Sequence, residues 1–327
     1  MTSTDEADLL TWDTLRLDDA DELCALLNDA AEADGTGERL TPELVREFLS
    51  TPGSDLGRDT IAVRDAGRLV AEGSVDVAEE PDREGRTRCR LQGAVHPDHR
   101  RRGIGSRILD RQQEIAARRA EAEHPGRPGH LHVGGGLEGA DVRPLLEARG
   151  FERVRSFLEM LRPLPGDPIT PTQPIRGVEL IAPTADMGEA VRSAHVAAFA
   201  DHWGSAPVTA ERWAQSWNSS TRRLELSTVA LDDGAPAGER RVLAYAMTDV
   251  WEERRLYIAL VGTRPEARGR GIATAVLART LRLAEASGEF DDVQLEVDGQ
   301  SLTGATRLYE RLGFALDKDF ALFSKDL

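Results

Sequence analysis

Residues 268–273 read Arg268-Gly269-Arg270-Gly271-Ile272-Ala273, and 168 positions earlier the chain reads Arg100-Arg101-Arg102-Gly103-Ile104-Gly105. Each hexamer follows a stretch patterned as a strand and opens one patterned as a long helix, over residues 102–123 and 271–286. The same shift carries Pro97 onto Pro265 and Ile104, Ile108 and Ile115 onto Ile272, Val276 and Leu283, so spacings of four and seven put matching apolar residues on one face of each helix. A helix start exposes about four unpaired N–H donors and roughly half a positive charge, and small residues there let an anion's oxygens reach the backbone. With His99 and Arg264 close by, each segment suits a pyrophosphate. Neither the Gly-Lys-Ser/Thr ending of a P-loop nor a G-x-G-x-x-G dinucleotide fingerprint is present. The competing reading of Arg100-Arg101-Arg102 is a solvated helix start.

Working outward, the two halves repeat one order. A strand, two helices and three strands precede the signature helix, and a strand, a helix and a last strand follow it, with the last strands starting near Phe151 and Phe314. Between the halves, Pro163, Pro165, Pro168, Pro171 and Pro174 exclude helix and central strand. The expected division is therefore 1–163, a proline-rich linker 164–175, and 176–327. A length of 327 residues agrees with two domains, at roughly 100 to 200 residues each.

The charge balance is acidic, 41 Lys and Arg against 57 Asp and Glu, which disfavours general binding to a nucleic-acid backbone and is compatible with a cationic partner. No leader-like segment opens the chain and no apolar run of about 18 residues occurs, so the expectation is a cytoplasmic protein without a membrane partner. Cys24 and Cys89 stand apart from any Cys/His cluster, and neither a disulfide framework nor a metal site is expected.

The two hexamers, the repeated element order and the downstream run Leu308-Tyr309-Glu310-Arg311-Leu312-Gly313-Phe314 together resemble the GNAT superfamily of acyl-CoA-dependent N-acyltransferases. That family carries Arg or Gln-x-x-Gly-x-Gly or Ala between its fourth strand and third helix, and both copies fit. The preceding Val261-Gly262-Thr263-Arg264-Pro265 is similar to the family's text as well. The resemblance spans nearly the whole chain, and its two-copy layout is similar to that of mycothiol synthases. It implies an α/β fold with a mixed sheet in two tandem GNAT-like domains. It also implies transfer of an acetyl group from acetyl-CoA to a primary amine of a small molecule by direct attack.

The same resemblance places the pantetheine arm and acyl carbonyl along Val261, Gly262 and Thr263, with Val95 as the counterpart in the first copy. It places the pyrophosphate on Arg268, Gly269, Arg270, Gly271, Ile272, Ala273 and Thr274, and in the first copy on Arg100, Arg101, Arg102, Gly103, Ile104, Gly105 and Ser106. Ser301 stands where family members often carry an Asn that bonds the coenzyme. Tyr309 matches the tyrosine that protonates the departing thiolate, a role a phenol can fill within hydrogen-bond reach of sulfur; the alternative is a tyrosine that only packs on the sheet. The first half reads Leu145-Leu146-Glu147-Ala148-Arg149-Gly150-Phe151, with Leu146 in that place. The expectation is a catalytic second half and a first half that is structural or holds coenzyme without turnover.

On the acceptor side, Asp201 and His202, next to Trp203, could bind an ammonium group and accept its proton, or could cap a helix and pack. Asp249, Glu252, Glu253 and Glu296 are further candidate bases. Two rival readings are a non-catalytic acyl-CoA binding or sensing protein, and an acetyltransferase acting on proteins.

Overall fold

The computed structural model describes residues 10–169, 173–200, 205, 207–234, 240–300 and 304–327. In chain order the first part runs β1 (Leu10–Asp13), α1 (Ala20–Asp34), α2 (Pro42–Leu49), α3 (Leu56–Asp59), β2 (Thr60–Asp65), β3 (Arg68–Val77), β4 (Thr87–Val95), α4 (Ile104–Glu123), β5 (Gly129–Gly134), α5 (Val142–Glu147) and β6 (Glu152–Pro163). It continues with β7 (Val178–Ile181), α6 (Gly188–Phe199), α7 (Ala210–Trp217), β8 (Thr228–Asp232), β9 (Val242–Glu252), β10 (Arg255–Thr263), α8 (Ile272–Ser287), β11 (Asp292–Asp298), α9 (Ala305–Arg311) and β12 (Ala315–Asp326). Local chemistry sets several starts. Thr41 accepts from the Leu44 N–H with Pro42 at the first helical position of α2, and Thr209 caps α7 through Arg212.

The chain forms two compact units, one of residues 1–155 and 320–327, the other of residues 156–319. This differs from a division into 1–163, linker and 176–327. The last strands are exchanged: residues 157–163 of β6 pair with β11, and residues 322–326 of β12 pair with β5. The proline-rich stretch is not a free linker either. Leu164, Ile169 and Ile175 pack against the core of the second unit, the Leu164 N–H donates to the Asp291 carbonyl, and the buried Arg162 donates to the Asp167 carbonyl. Proline excludes helix here, as expected, but not strand: Pro163 ends β6 opposite Asp292, and apolar side chains after it still gain by burial.

In the first unit the strand order is β1-β2-β3-β4-β5-β12, and in the second β7-β8-β9-β10-β11-β6. Within each, one neighbouring pair is parallel, β4 with β5 and β10 with β11; the rest are antiparallel. The mixed α/β architecture is the expected one. In the second unit Val276, Leu277 and Leu281 of α8 meet Leu256, Ile258, Val293 and Leu295 on one sheet face. Val191, Ala194, Trp213 and Trp217 of α6 and α7 cover Val229, Tyr245 and Met247 on the other. The glycines 134–136 serve β12. Gly135 and Gly136 exchange backbone hydrogen bonds with Ala321, and a side chain on Gly135 would run into Phe323.

The first unit buries an acid. Glu72 on β3 is 6% exposed, and burial raises its carboxyl to about 7. A carboxyl with a raised folded pKa favours the native state at low pH, and that stability is lost as pH rises from the unfolded value of 4.5 to about 7. Glu72→Gln removes this dependence. At pH 8 the variant is expected to be more stable than the wild type by on the order of 2 kcal/mol, with little difference at pH 4. Melting curves across that range check it, and parallel pH profiles would refute it.

Candidate active site

In the second unit β10 and β11 pair only from Arg255↔Asp292 to Ile258↔Leu295. Beyond that point β10 continues to Thr263 against β9, with a bulge between Ile258 and Leu260, while β11 continues to Asp298 against β6. The two parallel strands therefore part. One edge of residues 259–263, including Val261, Gly262 and Thr263, has no neighbouring strand among the described residues and presents backbone donors and acceptors. An extended amide chain can use such an edge as an added strand does. In the first unit β4 and β5 also part after Leu91↔Val133, but β4 runs on to Val95 with its register against β3 unbroken. The bulge belongs to the second unit's wedge.

The signature turns start the helices that pack beside these wedges. Gly103 and Gly271 sit at the N-caps of α4 and α8 with φ of 78° and 77°, and the preceding turn has φ of 62° at Arg101 and 74° at Gly269. The two copies thus share a backbone path, and Arg101 bears the cost of a left-handed conformation that Gly269 avoids. Among the described residues, nothing lies within 4 Å of a Cβ built on Gly103, Gly269 or Gly271. These turns open outward with the first-turn N–H groups of each helix, a geometry that fits a pyrophosphate. Ile104 and Ile272 are buried, so only their backbones face that site. Ala273, Thr274, Gly105 and Ser106 are half-buried in the first helical turns.

The arginines act differently from simple phosphate ligands. Arg100 donates through Nε to the Val95 carbonyl at 3.1 Å, and Arg268 to the matching Thr263 carbonyl at 3.4 Å. Both guanidinium groups then reach a neighbouring helix end, Arg100 to Asp34 of α1 at 2.6 and 3.0 Å, and Arg268 to the Ala198 carbonyl of α6 at 2.8 Å. They brace the strand ends that carry the wedge. Arg101 pairs with Asp141, and Arg102 contacts His99 and Asp65, whereas Arg270 donates to the Arg176 carbonyl. Among the described residues, carboxylates pair with Arg100, Arg101 and Arg102 in the first unit. Arg264 is not a ligand candidate: it is buried and donates to the Val242 carbonyl and the Ser193 hydroxyl.

Tyr309 lies on α9, buried at 6% exposure, with its ring edge-on to Phe314. Burial pushes its phenol up to about 12, which keeps the proton on the oxygen at neutral pH. Leu146, on α5 of the first unit, is fully buried among apolar residues and offers no proton there. Asp201, His202 and Ser301 lie outside the described residues. Of the other acids, Asp249 is buried and ion-paired with Arg222 at 3.0 Å, Glu252 pairs with Arg255 at 3.0 Å, Glu253 sits in the β9–β10 turn, and Glu296 is exposed on β11.

Two side chains that sequence reasoning missed stand at the wedge. Tyr245 of β9 lies directly opposite Gly262, and a Cβ on Gly262 would run into its hydroxyl. That hydroxyl hydrogen-bonds His195 Nδ1 of α6 at 2.7 Å, and the imidazole is stacked on Phe199 and tilted against Trp213. Gly262 is glycine because the phenol occupies its face. The available signal was an isolated aromatic between small residues, Ala244-Tyr245-Ala246, in register with a glycine at a strand end. Gly262→Ala is expected to cost about 2 kcal/mol through overpacking, and Gly262→Ala/Tyr245→Leu to recover most of it, read from thermal melts. An unchanged melting temperature in the single variant would refute the contact.

The match to known proteins agrees with this geometry. Residues 188–314 match the model of the acetyltransferase (GNAT) family. The chain is 32% identical over 314 residues to a mycothiol acetyltransferase of Actinosynnema mirum, covering 94% of this chain and 96% of the relative. The chain belongs to the GNAT acetyltransferase family. A mycothiol acetyltransferase of Mycolicibacterium gilvum is 30% identical, with 93% and 94% covered. Among solved structures, a GCN5-related N-acetyltransferase from Sphaerobacter thermophilus superposes with a TM-score of 0.74 at 24% identity, over 98% of this chain and 96% of that one. A tandem GNAT protein from the clavulanic acid biosynthesis pathway gives 0.66 at 18%, over 97% and 98%. As a GNAT acetyltransferase, this protein takes its acyl group from acetyl-CoA and transfers it to an amine. No described helix is long and apolar enough to cross a membrane.

Proposed function

We propose that the second unit carries turnover and acetylates a primary amine of a small molecule in the cytoplasm, an acceptor of the mycothiol kind named in the relatives. The first unit, on this reading, holds coenzyme without turnover or is structural. The observation that carries the assignment is the difference between the wedges: a bulged β10 edge with a buried phenol on α9 in one, an unbroken β4 edge with Leu146 in the other.

Acetyl-CoA supplies an acyl carbon that an amine attacks directly, with the C–N bond formed, the C–S bond broken and a thiolate leaving. The first turn of α8 holds the pyrophosphate through the backbone of Gly271, Ile272, Ala273 and Thr274. The free edge of Val261, Gly262 and Thr263 orients the arm, and Arg268 keeps that edge in place. Tyr309 delivers its proton to sulfur. Asp201 and His202 are the proposed groups for binding the ammonium and taking its proton. Thiol release from acetyl-CoA, followed with a panel of small amines and with a lysine peptide, tests the reading. Release with a small amine supports it; release with the peptide alone would favour a protein acceptor, and binding without any release would favour a sensor.

A further inference from the structure

The Tyr245–His195 pair is not needed for any role assigned so far, yet it is placed against the wedge. Tyr245 belongs to the core on the α6–α7 face of the second unit, and Tyr309 to the core on the α8–α9 face. The Tyr245 phenol nevertheless feels the charge of Tyr309, which adds to burial in raising it. The two phenols thus belong to cores on opposite faces of the sheet. Tyr245 starts on β9 and ends with its hydroxyl over Gly262, which has no side chain, beside the edge of β10 that no strand covers among the described residues. His195 fixes the hydroxyl at 2.7 Å and is itself held by Phe199 and Trp213, so the ring cannot swing away without losing a buried hydrogen bond.

We propose that Tyr245, clamped by His195, is the specificity-determining wall of the acyl site, admitting a two-carbon acyl group on coenzyme A and excluding longer chains. The proposal rests on the reading that the thioester lies along Val261, Gly262 and Thr263. An acyl group there meets the phenol hydroxyl over Gly262, and the ring behind it is packed by protein on every side, 0% exposed. Close packing makes such a wall unyielding, since protein interiors have few voids larger than a water molecule. The first unit lacks the wall. The same cross-strand pair there is Glu72 with Ala94, a shorter acid opposite a residue that already has a Cβ.

The test needs no acceptor. Calorimetric titrations with acetyl-CoA and butyryl-CoA are compared in a Gly103→Glu background, so that the second unit is read alone. The parent is expected to bind butyryl-CoA at least about 30-fold more weakly than acetyl-CoA, within the range a pocket gains against extra methylenes. Tyr245→Val should reduce that ratio to about 3-fold or less. Tyr245→Phe keeps the ring and should keep most of the ratio, and His195→Ala, which frees the ring, should fall between. A parent that binds both thioesters equally overturns the proposal without any variant, as does a Tyr245→Val protein that retains acetyl-CoA binding and the parent's ratio. If the parent binds neither thioester nor free coenzyme A, the donor-site reading itself fails and the wall falls with it.

Discussion

Gly271→Glu is expected to abolish acetyl-CoA binding in the second unit, a loss of at least about 100-fold, while leaving the protein folded. Gly271 has φ of 77°, so any L-residue there pays about 1–2 kcal/mol of backbone strain. No atom of the described residues lies within 4 Å of the new Cβ to add a steric cost. A penalty of that size lowers the melting temperature by only a few degrees in a unit of this length. The carboxylate would sit at the first turn of α8, where it satisfies the helix N–H groups itself and repels a pyrophosphate. Gly271→Ala carries the same backbone strain without the charge and separates the two effects; its binding should fall far less. Calorimetry with acetyl-CoA on both variants checks the expectation. A Glu variant that binds at the second unit like the wild type would remove the pyrophosphate from the α8 turn.

What was legible in the sequence was mostly local. The hexamers with their helix starts are decided within about ten residues by glycine, apolar period and position after a strand, and the structure places both copies on the same left-handed turn. The strand exchange was not legible because β6 and β12 choose partners more than 100 residues away, and alternation along a strand says which face is apolar, not which edge it will join. The prolines at 163–174 do not distinguish a linker from a packed segment, since the pattern that breaks helices also suits residues 164–169, which pack through Leu164 and Ile169 and accept from Arg162. Among the site residues, Arg100 and Arg268 read as phosphate ligands because charge near a Gly-rich turn has that meaning in isolation. Their bonds to Val95 and Thr263 depend on the geometry of the preceding strand end. Tyr245 and His195 were invisible for a related reason. A tyrosine in an apolar strand and a histidine in an amphipathic helix both read as core until folding brings them within 2.7 Å.

Tyr309→Phe is expected to lower kcat by about 100-fold or more, at the lower end of what a positioned acid contributes, with the KM for acetyl-CoA changed by less than about two-fold. The substitution removes one oxygen and keeps the ring, so the edge-on contact with Phe314 and the packing among Leu312, Phe314 and Val297 persist. Stability is therefore not the quantity that moves. Because burial holds the phenol at about 12, the wild type keeps its proton through pH 10, and no alkaline fall in rate from this group should appear below that pH. The rate should instead rise as the acceptor amine loses its proton and then level. Steady-state kinetics of thiol release at pH 7 and pH 9.5 separate the cases. A variant with wild-type kcat at both values would leave Tyr309 as a packing residue only, and the proton for sulfur would have to come from elsewhere in the second unit. A variant whose KM for acetyl-CoA rises while kcat holds would make the hydroxyl a binding group. Loss confined to kcat is the outcome that fits a phenol held protonated beside the parting strands, and Leu146 at the matching place is then why the first unit cannot replace it.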